Sequence, residues 1–234
     1  MSKFFVFDVE SVGLHGEAFA VGGVVVARDG TRESEFLFTC PSAVCKGSDD
    51  DREWVTKNVA PMPVTHGTPK EIRYAFWEKW LKAKANGALM AADCLWPVEA
   101  RFVIECINDN PEARKWEGPY PFVEISTMIM AAGYDPLANH PRLEDETPAH
   151  HALFDARQSA RLLVGAMMAI GMKAPMEDDQ WIDRAGGELE RILIDGLTHD
   201  QSEFVKSAVK RSAQLEEVSA SIAEIIRKVK GGAA

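Results

Sequence analysis

The sequence predicts an α/β domain in which a mixed β-sheet is flanked by helices, followed by a C-terminal helical extension. Three observations carry this. Short runs of aromatic and β-branched residues come first; from residue 68 onward helical and strand patterns alternate; and beyond residue 173 only helical periodicity remains. The boundaries that follow are 1–173 for the sheet-containing domain and 174–234 for the extension.

Phe4-Phe5-Val6-Phe7 is a short strand run that leads into Asp8-Val9-Glu10. Phe19 to Val26 and Glu35 to Thr39 are two further strand candidates, and Asp29-Gly30 between them is a hairpin signal, so the first forty residues read as an antiparallel meander. Residues 40–68 are rich in Pro, Asp, Gly and Ser and read as a long surface loop with one helical turn around Trp54. Thr68-Pro69 opens a helix, with Thr as cap and Pro in the first turn. Ile72, Phe76 and Trp80 recur at helical spacing until Asn86-Gly87 stops it. Ala88–Ala92 is a buried strand, and Pro97 opens a helix through Phe102, Val103, Cys106 and Ile107. Phe122–Ile125 is another strand, Thr127–Ala132 a short helix ended by Gly133, and Ala152 to Ile170 a long helix.

In the extension, Phe204, Ala208, Arg211, Leu215, Val218, Ile222, Ile225 and Val229 alternate spacings of four and three, a heptad with one polar interruption. Two outcomes stay open for it: self-association into a homo-oligomer, or packing on the chain's own domain. Its segment 203–230 is mildly basic, which hints at a strand-guiding arm; Lys79, Lys82 and Lys84 are a solvated helix face or a second guide.

Bulk properties narrow the function classes. No stretch approaches the roughly 20 apolar residues of a membrane helix, so no membrane partner is expected. With no basic leader either, the cytoplasm is the expected location, where Cys40, Cys45, Cys94 and Cys106 are thiols. The net charge of −10 argues against a large basic footprint on duplex DNA. It allows a strand end that enters a cleft where metal ions supply the positive charge.

The chemistry sits in three clusters. Asp8 and Glu10 are two apart at the end of a strand, so both project from one face. Two adjacent carboxylates repel unless a cation lies between them, and hard oxygen donors suit Mg²⁺ or Mn²⁺. Asp93 closes the apolar strand 88–92 and faces a cleft or caps a turn. His150-His151-Ala152-Leu153-Phe154-Asp155 leads into the long helix; His151 and Asp155 would share a helix face, while His150 would reach the helix start from the preceding loop.

An N-terminal D-x-E, a central Asp after an apolar strand and a late H-x-x-x-x-D resemble, in this order, the DEDDh branch of the RNase H-like exonucleases, over roughly residues 3–170. Phe7 to Leu14 looks like the first motif, with Ser11 and Val12 where threonines are common. His150 to Ala156 looks like the third. The second is divergent: Leu89, Met90 and Ala92 stand where an His-Asn pair and an aromatic are frequent, and Ser126 where an Asp often heads the later stretch.

The resemblance implies an RNase H-like sheet and a 3′→5′ exonuclease acting on the 3′ end of single-stranded DNA or RNA. It implies two Mg²⁺ or Mn²⁺ ions held by Asp8, Glu10, Asp93 and Asp155, with His150 as general base and Glu10 also in the catalytic set. The terminal nucleotide would lie along Ser11, Val12, Gly13 and Leu14, with Leu14 as a wedge. Trp96 is a core or surface tryptophan, or a stacking platform for a base. The competing expectation is a non-catalytic nucleic-acid-binding or assembly module that keeps the fold.

Overall fold

The computed structural model describes residues 3–171. The extension expected over 174–234, with its heptad and its oligomerisation, lies outside them. Five strands form one mixed sheet in the order β3-β2-β1-β4-β5. Strands β1 (Lys3–Ser11), β2 (Ala18–Ala27) and β3 (Arg32–Thr39) are the expected antiparallel meander. At the second turn Asp29 Oδ1 accepts the Thr31 N–H at 2.9 Å.

After β3 the chain leaves the sheet. Helix α1 covers Asp49–Asn58, ten residues where the sequence indicates a single turn. Ser48 caps it by accepting the Asp51 N–H at 3.1 Å, and three aspartates in its first turn complement the helix dipole. Only Val55 among its residues is buried, so no apolar period betrays it. Helix α2 (Pro69–Ala85) starts where expected. Thr68 accepts the Glu71 N–H and the Glu71 carboxylate accepts the Thr68 N–H, a complete capping box.

A crossover through α2 returns the chain to β4 (Ala88–Ala92), which lies parallel to β1. Beyond it, Pro97 does not open a regular helix. Leu95–Glu99 is an irregular wide turn in which Trp96 is extended (φ −106°, ψ 135°), and α3 begins at Ala100 and runs to Asn108. The short α4 (Pro111–Arg114) precedes β5 (Phe122–Glu124), parallel to β4. Helices α5 (Ile125–Ala131) and α6 (Ala152–Ala169) complete the domain. No helix among the described residues is long and apolar enough to cross a membrane.

Both faces of the sheet are covered, which is why Phe4 to Phe7 are all buried without alternation. Phe5, Phe7 and Val9 enter a core with Ile72, Phe76, Trp77 and Trp80 of α2 and Phe102 of α3. Phe4 and Val6 enter the opposite core with Ile125 and Ile129 of α5 and Ala156, Ala160 and Leu163 of α6. By the alternation of strand side chains, Asp8 and Glu10 continue the Phe4–Val6 face, the one that α6 covers.

How closely α6 lies on that face depends on Gly22, which pairs with Asp8 across β1 and β2. A Cβ at Gly22 would come within 2.2 Å of the Leu153 backbone nitrogen and 2.4 Å of the Ala152 carbonyl carbon. Glycine is therefore what lets the first turn of α6 rest on the sheet beside Asp8. Gly22→Ala is expected to lower stability by about 1–3 kcal/mol, because the backbone of α6 must shift. Urea denaturation of the metal-free protein measures this, and an unchanged midpoint would mean that the contact is not tight.

Candidate active site and metal centre

The carboxylates of the sheet and the start of α6 meet at one cavity of about 260 Å³. It is lined by Asp8, Val9, Glu10, Asp93, Arg142, His150, Asp155, Gln158 and Ser159. Asp8 and Glu10 come from the end of β1, Asp93 from the residue after β4, and Asp155 from the first turn of α6. Gln158 and Ser159 follow Asp155 by three and four residues and so share its helix face. All four sequence-predicted metal carboxylates and His150 are thus in one place.

The two adjacent histidines separate cleanly. His151 is buried and stacked on Phe154 with ring centroids 3.8 Å apart, and burial holds its pKa below the ordinary 6.5. Its Nδ1 has no partner, and the residue does not line the cavity. His150 is exposed at the cavity with its ring edge against Trp54 of α1, centroids 5.3 Å apart. Its φ of 56° is left-handed, a conformation that non-glycine residues adopt rarely and mostly under local constraint. The constraint visible here is the backbone bond from the Ala60 N–H to the His150 carbonyl at 3.1 Å.

Ligand atoms of Glu10, His150 and Asp155 lie within 4.8 Å of one another, a spacing that one cation can bridge. Asp8 and Asp93 line the same cavity but stand outside that tight group. Asp93 is exposed; its Oδ1 accepts a hydrogen bond from Ser126 Oγ at 3.0 Å, and its carbonyl accepts the Ser126 N–H at 3.1 Å. Ser126 thus fixes the carboxylate from the start of α5.

The electrostatics also fit a cation. Burial pushes the Asp8 carboxyl well above its usual range, and Asp155, Glu10, Glu99 and Asp93 push the same way. Burial pushes Glu10 up to about 7, assisted by Asp155 and opposed by Arg142. Glu99, at the end of the irregular turn after β4, is pushed by burial up to about 8, against hydrogen bonds from its own backbone and that of Val9. Carboxylates gathered with so little compensation are stabilised in their ionised form by a divalent ion, and Glu10, His150 and Asp155 form a group that could hold one.

The expected nucleotide-binding segment is less uniform. Val12 is fully buried and its N–H is bonded to the Glu17 carbonyl, so its side chain faces the core and not a ligand. Ser11 Oγ donates to the Gly13 carbonyl at 2.7 Å. Gly13 has a φ of 73°, and a Cβ there would strike the Asp51 carboxylate of α1 at 2.4 Å. Leu14 is 64% exposed. None of these four is among the residues that line the carboxylate cavity.

Sequence reasoning missed Arg142, Glu99, Ser126, Gln158 and Ser159 as members or supports of the site. Gln158 and Ser159 were readable from helical spacing once Asp155 was chosen. Nothing local marks Arg142 or Glu99. No protein-family model matches the chain, and no curated protein matches it.

Glu10 and Glu99 have folded-state values above the ordinary 4.5, so each favours the folded protein most when protonated. Their contribution is fully present below about pH 4.5 and is lost as pH rises toward about 7 for Glu10 and about 8 for Glu99. In chelator-treated buffer, Glu10→Gln is therefore expected to flatten the fall in stability between these limits. Urea midpoints measured at half-unit pH steps test it, and parallel wild-type and variant curves would contradict it.

Proposed function

We propose that the protein is a metal-dependent 3′→5′ exonuclease of the DEDDh type, hydrolysing the terminal phosphodiester of single-stranded DNA or RNA. The observation that carries this reading is the convergence of Asp8, Glu10, Asp93, Asp155 and His150 on a single cavity. Strand alternation, the end of an apolar strand and motif order single these residues out in the sequence, and they come from the start, the middle and the end of the described residues. The mixed sheet flanked by helices supports the RNase H-like form of the fold.

In this reading Asp8, Glu10, Asp93 and Asp155 would hold two Mg²⁺ or Mn²⁺ ions. When bound, such ions lower the pKa of water and balance the charge that builds up on phosphorus and on the departing 3′ oxygen. The chain's own residues supply the rest. His150, exposed at the cavity and held by Trp54 and Ala60, would take the proton of the attacking water, a task that an imidazole suits near neutral pH. Ser126 keeps Asp93 turned toward the cavity. Leu14, exposed just beyond the end of β1, offers an apolar surface to the terminal base.

A second reading, a non-catalytic binding module, has one observation in its favour: Asp155 is already paired with Arg142, at 2.5 Å. It predicts no affinity for Mn²⁺.

Purified protein with Mn²⁺ is expected to shorten a 5′-labelled single strand of DNA or RNA from its 3′ end. His150→Ala is expected to slow this by about 10²–10⁴-fold, as loss of a general base does, and Asp8→Ala to abolish it. Strands of both kinds left intact, together with a flat Mn²⁺ titration, would sink the exonuclease reading in favour of the second.

A further inference from the structure

Among the nine residues lining the carboxylate cavity, Arg142 alone carries a fixed positive charge. It belongs to the loop between α5 and α6. Its Nη1 donates to Asp155 Oδ1 at 2.5 Å and to the Glu146 carbonyl at 2.8 Å. The other Asp155 oxygen accepts the His151 N–H at 3.2 Å. Both oxygens of the α6 carboxylate are thus engaged, although this carboxylate belongs to the group of three that a cation can bridge.

The loop around Arg142 is fastened more firmly than an ordinary surface arginine requires. Glu146 is fully buried; Arg161 Nε and Nη2 donate to its two oxygens at 2.7 Å each, and the Leu143 N–H donates to it at 2.9 Å. Arg161 Nη2 also holds the Pro141 carbonyl at 2.7 Å, and Gln158 Nε2 holds the His140 carbonyl at 3.0 Å. Residues 140, 141 and 143 are therefore each tied, directly or through Glu146, to α6. The ion pair has one fully buried partner, Glu146, and one part-exposed partner, Arg161, and its bonds hold the loop in one geometry. The geometry it fixes delivers one guanidinium to Asp155.

We propose that Arg142 and a divalent cation are alternative partners of the Asp155 carboxylate, and that the guanidinium released from Asp155 turns to a phosphate oxygen of the strand end. The inference rests on the exonuclease reading. A metal ion and a guanidinium on the same carboxylate repel each other, so a seated ion weakens the Arg142 contact. The Glu146 carbonyl contact stays available as a pivot. Five planar donors make guanidinium a strong partner for phosphate, and its charge does not depend on pH in the working range. The same residue would then pair with Asp155 in the metal-free protein and contact the substrate once metal is in place.

The experiment is a calorimetric titration of the chelator-treated full chain with Mn²⁺, comparing wild type with Arg142→Gln. The variant is expected to bind Mn²⁺ about tenfold more tightly, because a competing cation has been removed. Equal or weaker binding overturns the exchange. Absence of binding in both proteins overturns the metal-centre reading itself, so the two failures are distinguishable. If Arg142→Gln does not fold, as judged by its thermal melt, Arg142→Met is titrated instead. It too removes the competing cation, so tighter binding than wild type is again expected, and unchanged binding again overturns the exchange. The phosphate half is read with a chromogenic thymidine 5′-phosphodiester at Mn²⁺ saturating for each protein. Loss of one charged contact is expected to lower kcat/KM about tenfold, whereas a value within about twofold of wild type overturns the phosphate contact.

Discussion

The contact on which the site depends is the seating of the first turn of α6 on β2 at Gly22. It places Ala152 and Leu153 against a strand position that has no Cβ, directly across from Asp8. The helix start is brought down to the level of the sheet, and Asp155 with it. The same approach buries the carboxylates, since Asp8 and Glu10 lie on the face that α6 covers. Their raised pKa values follow from that geometry, with burial as the largest cause for each. A cluster of acids at a helix–sheet junction costs stability in a metal-free protein, and a cation removes that cost.

Two further constraints hold the exposed side of the cavity. His150 is fixed through its carbonyl by Ala60 and through its ring edge by Trp54, so α1 and the residue just after Val59 act on the proposed base without lining the cavity. On the other side, the loop carrying Arg142 is tied to α6 by Glu146, Arg161 and Gln158, while Arg157 and Arg32 link the same region to β3 through Glu35 and Asp145. Helix α6 is therefore both the carrier of Asp155 and the anchor for the loop that neutralises it. Arg142 reduces the upward push on Glu10 as well, so one guanidinium acts on two carboxylates of the cluster, Glu10 and Asp155.

The sheet was readable from the chain because its signals are local. Strand runs, a capping box at Thr68 and the Asp29-Gly30 turn fix elements through neighbours in sequence. Helix α1 was not readable as a full helix, since its single buried residue leaves no period and its aspartates resemble loop composition. The turn at Leu95–Glu99 was not readable either. Pro97 signals a helix start, but the regular backbone begins only at Ala100. The same division holds in the site: two residues apart on a strand, Asp8 and Glu10 share a face by geometry alone, and Gln158 and Ser159 follow from Asp155 by helical spacing.

Local pattern in the chain singles out the acids, through the period of two in β1, the position of Asp93 after an apolar strand and the motif that ends in Asp155. Between His150 and His151 spacing left the choice open and the resemblance implied His150; in the fold one ring is exposed at the cavity, the other stacked and buried on Phe154. Arg142 and Glu99 likewise join the cluster through contacts across the fold, and Val12 turns out to face the core. The physical reason is one of range. Strand and helix periods fix a side chain's direction over a few residues, whereas charge compensation in a buried cluster depends on whichever distant segments packing brings within a few ångströms.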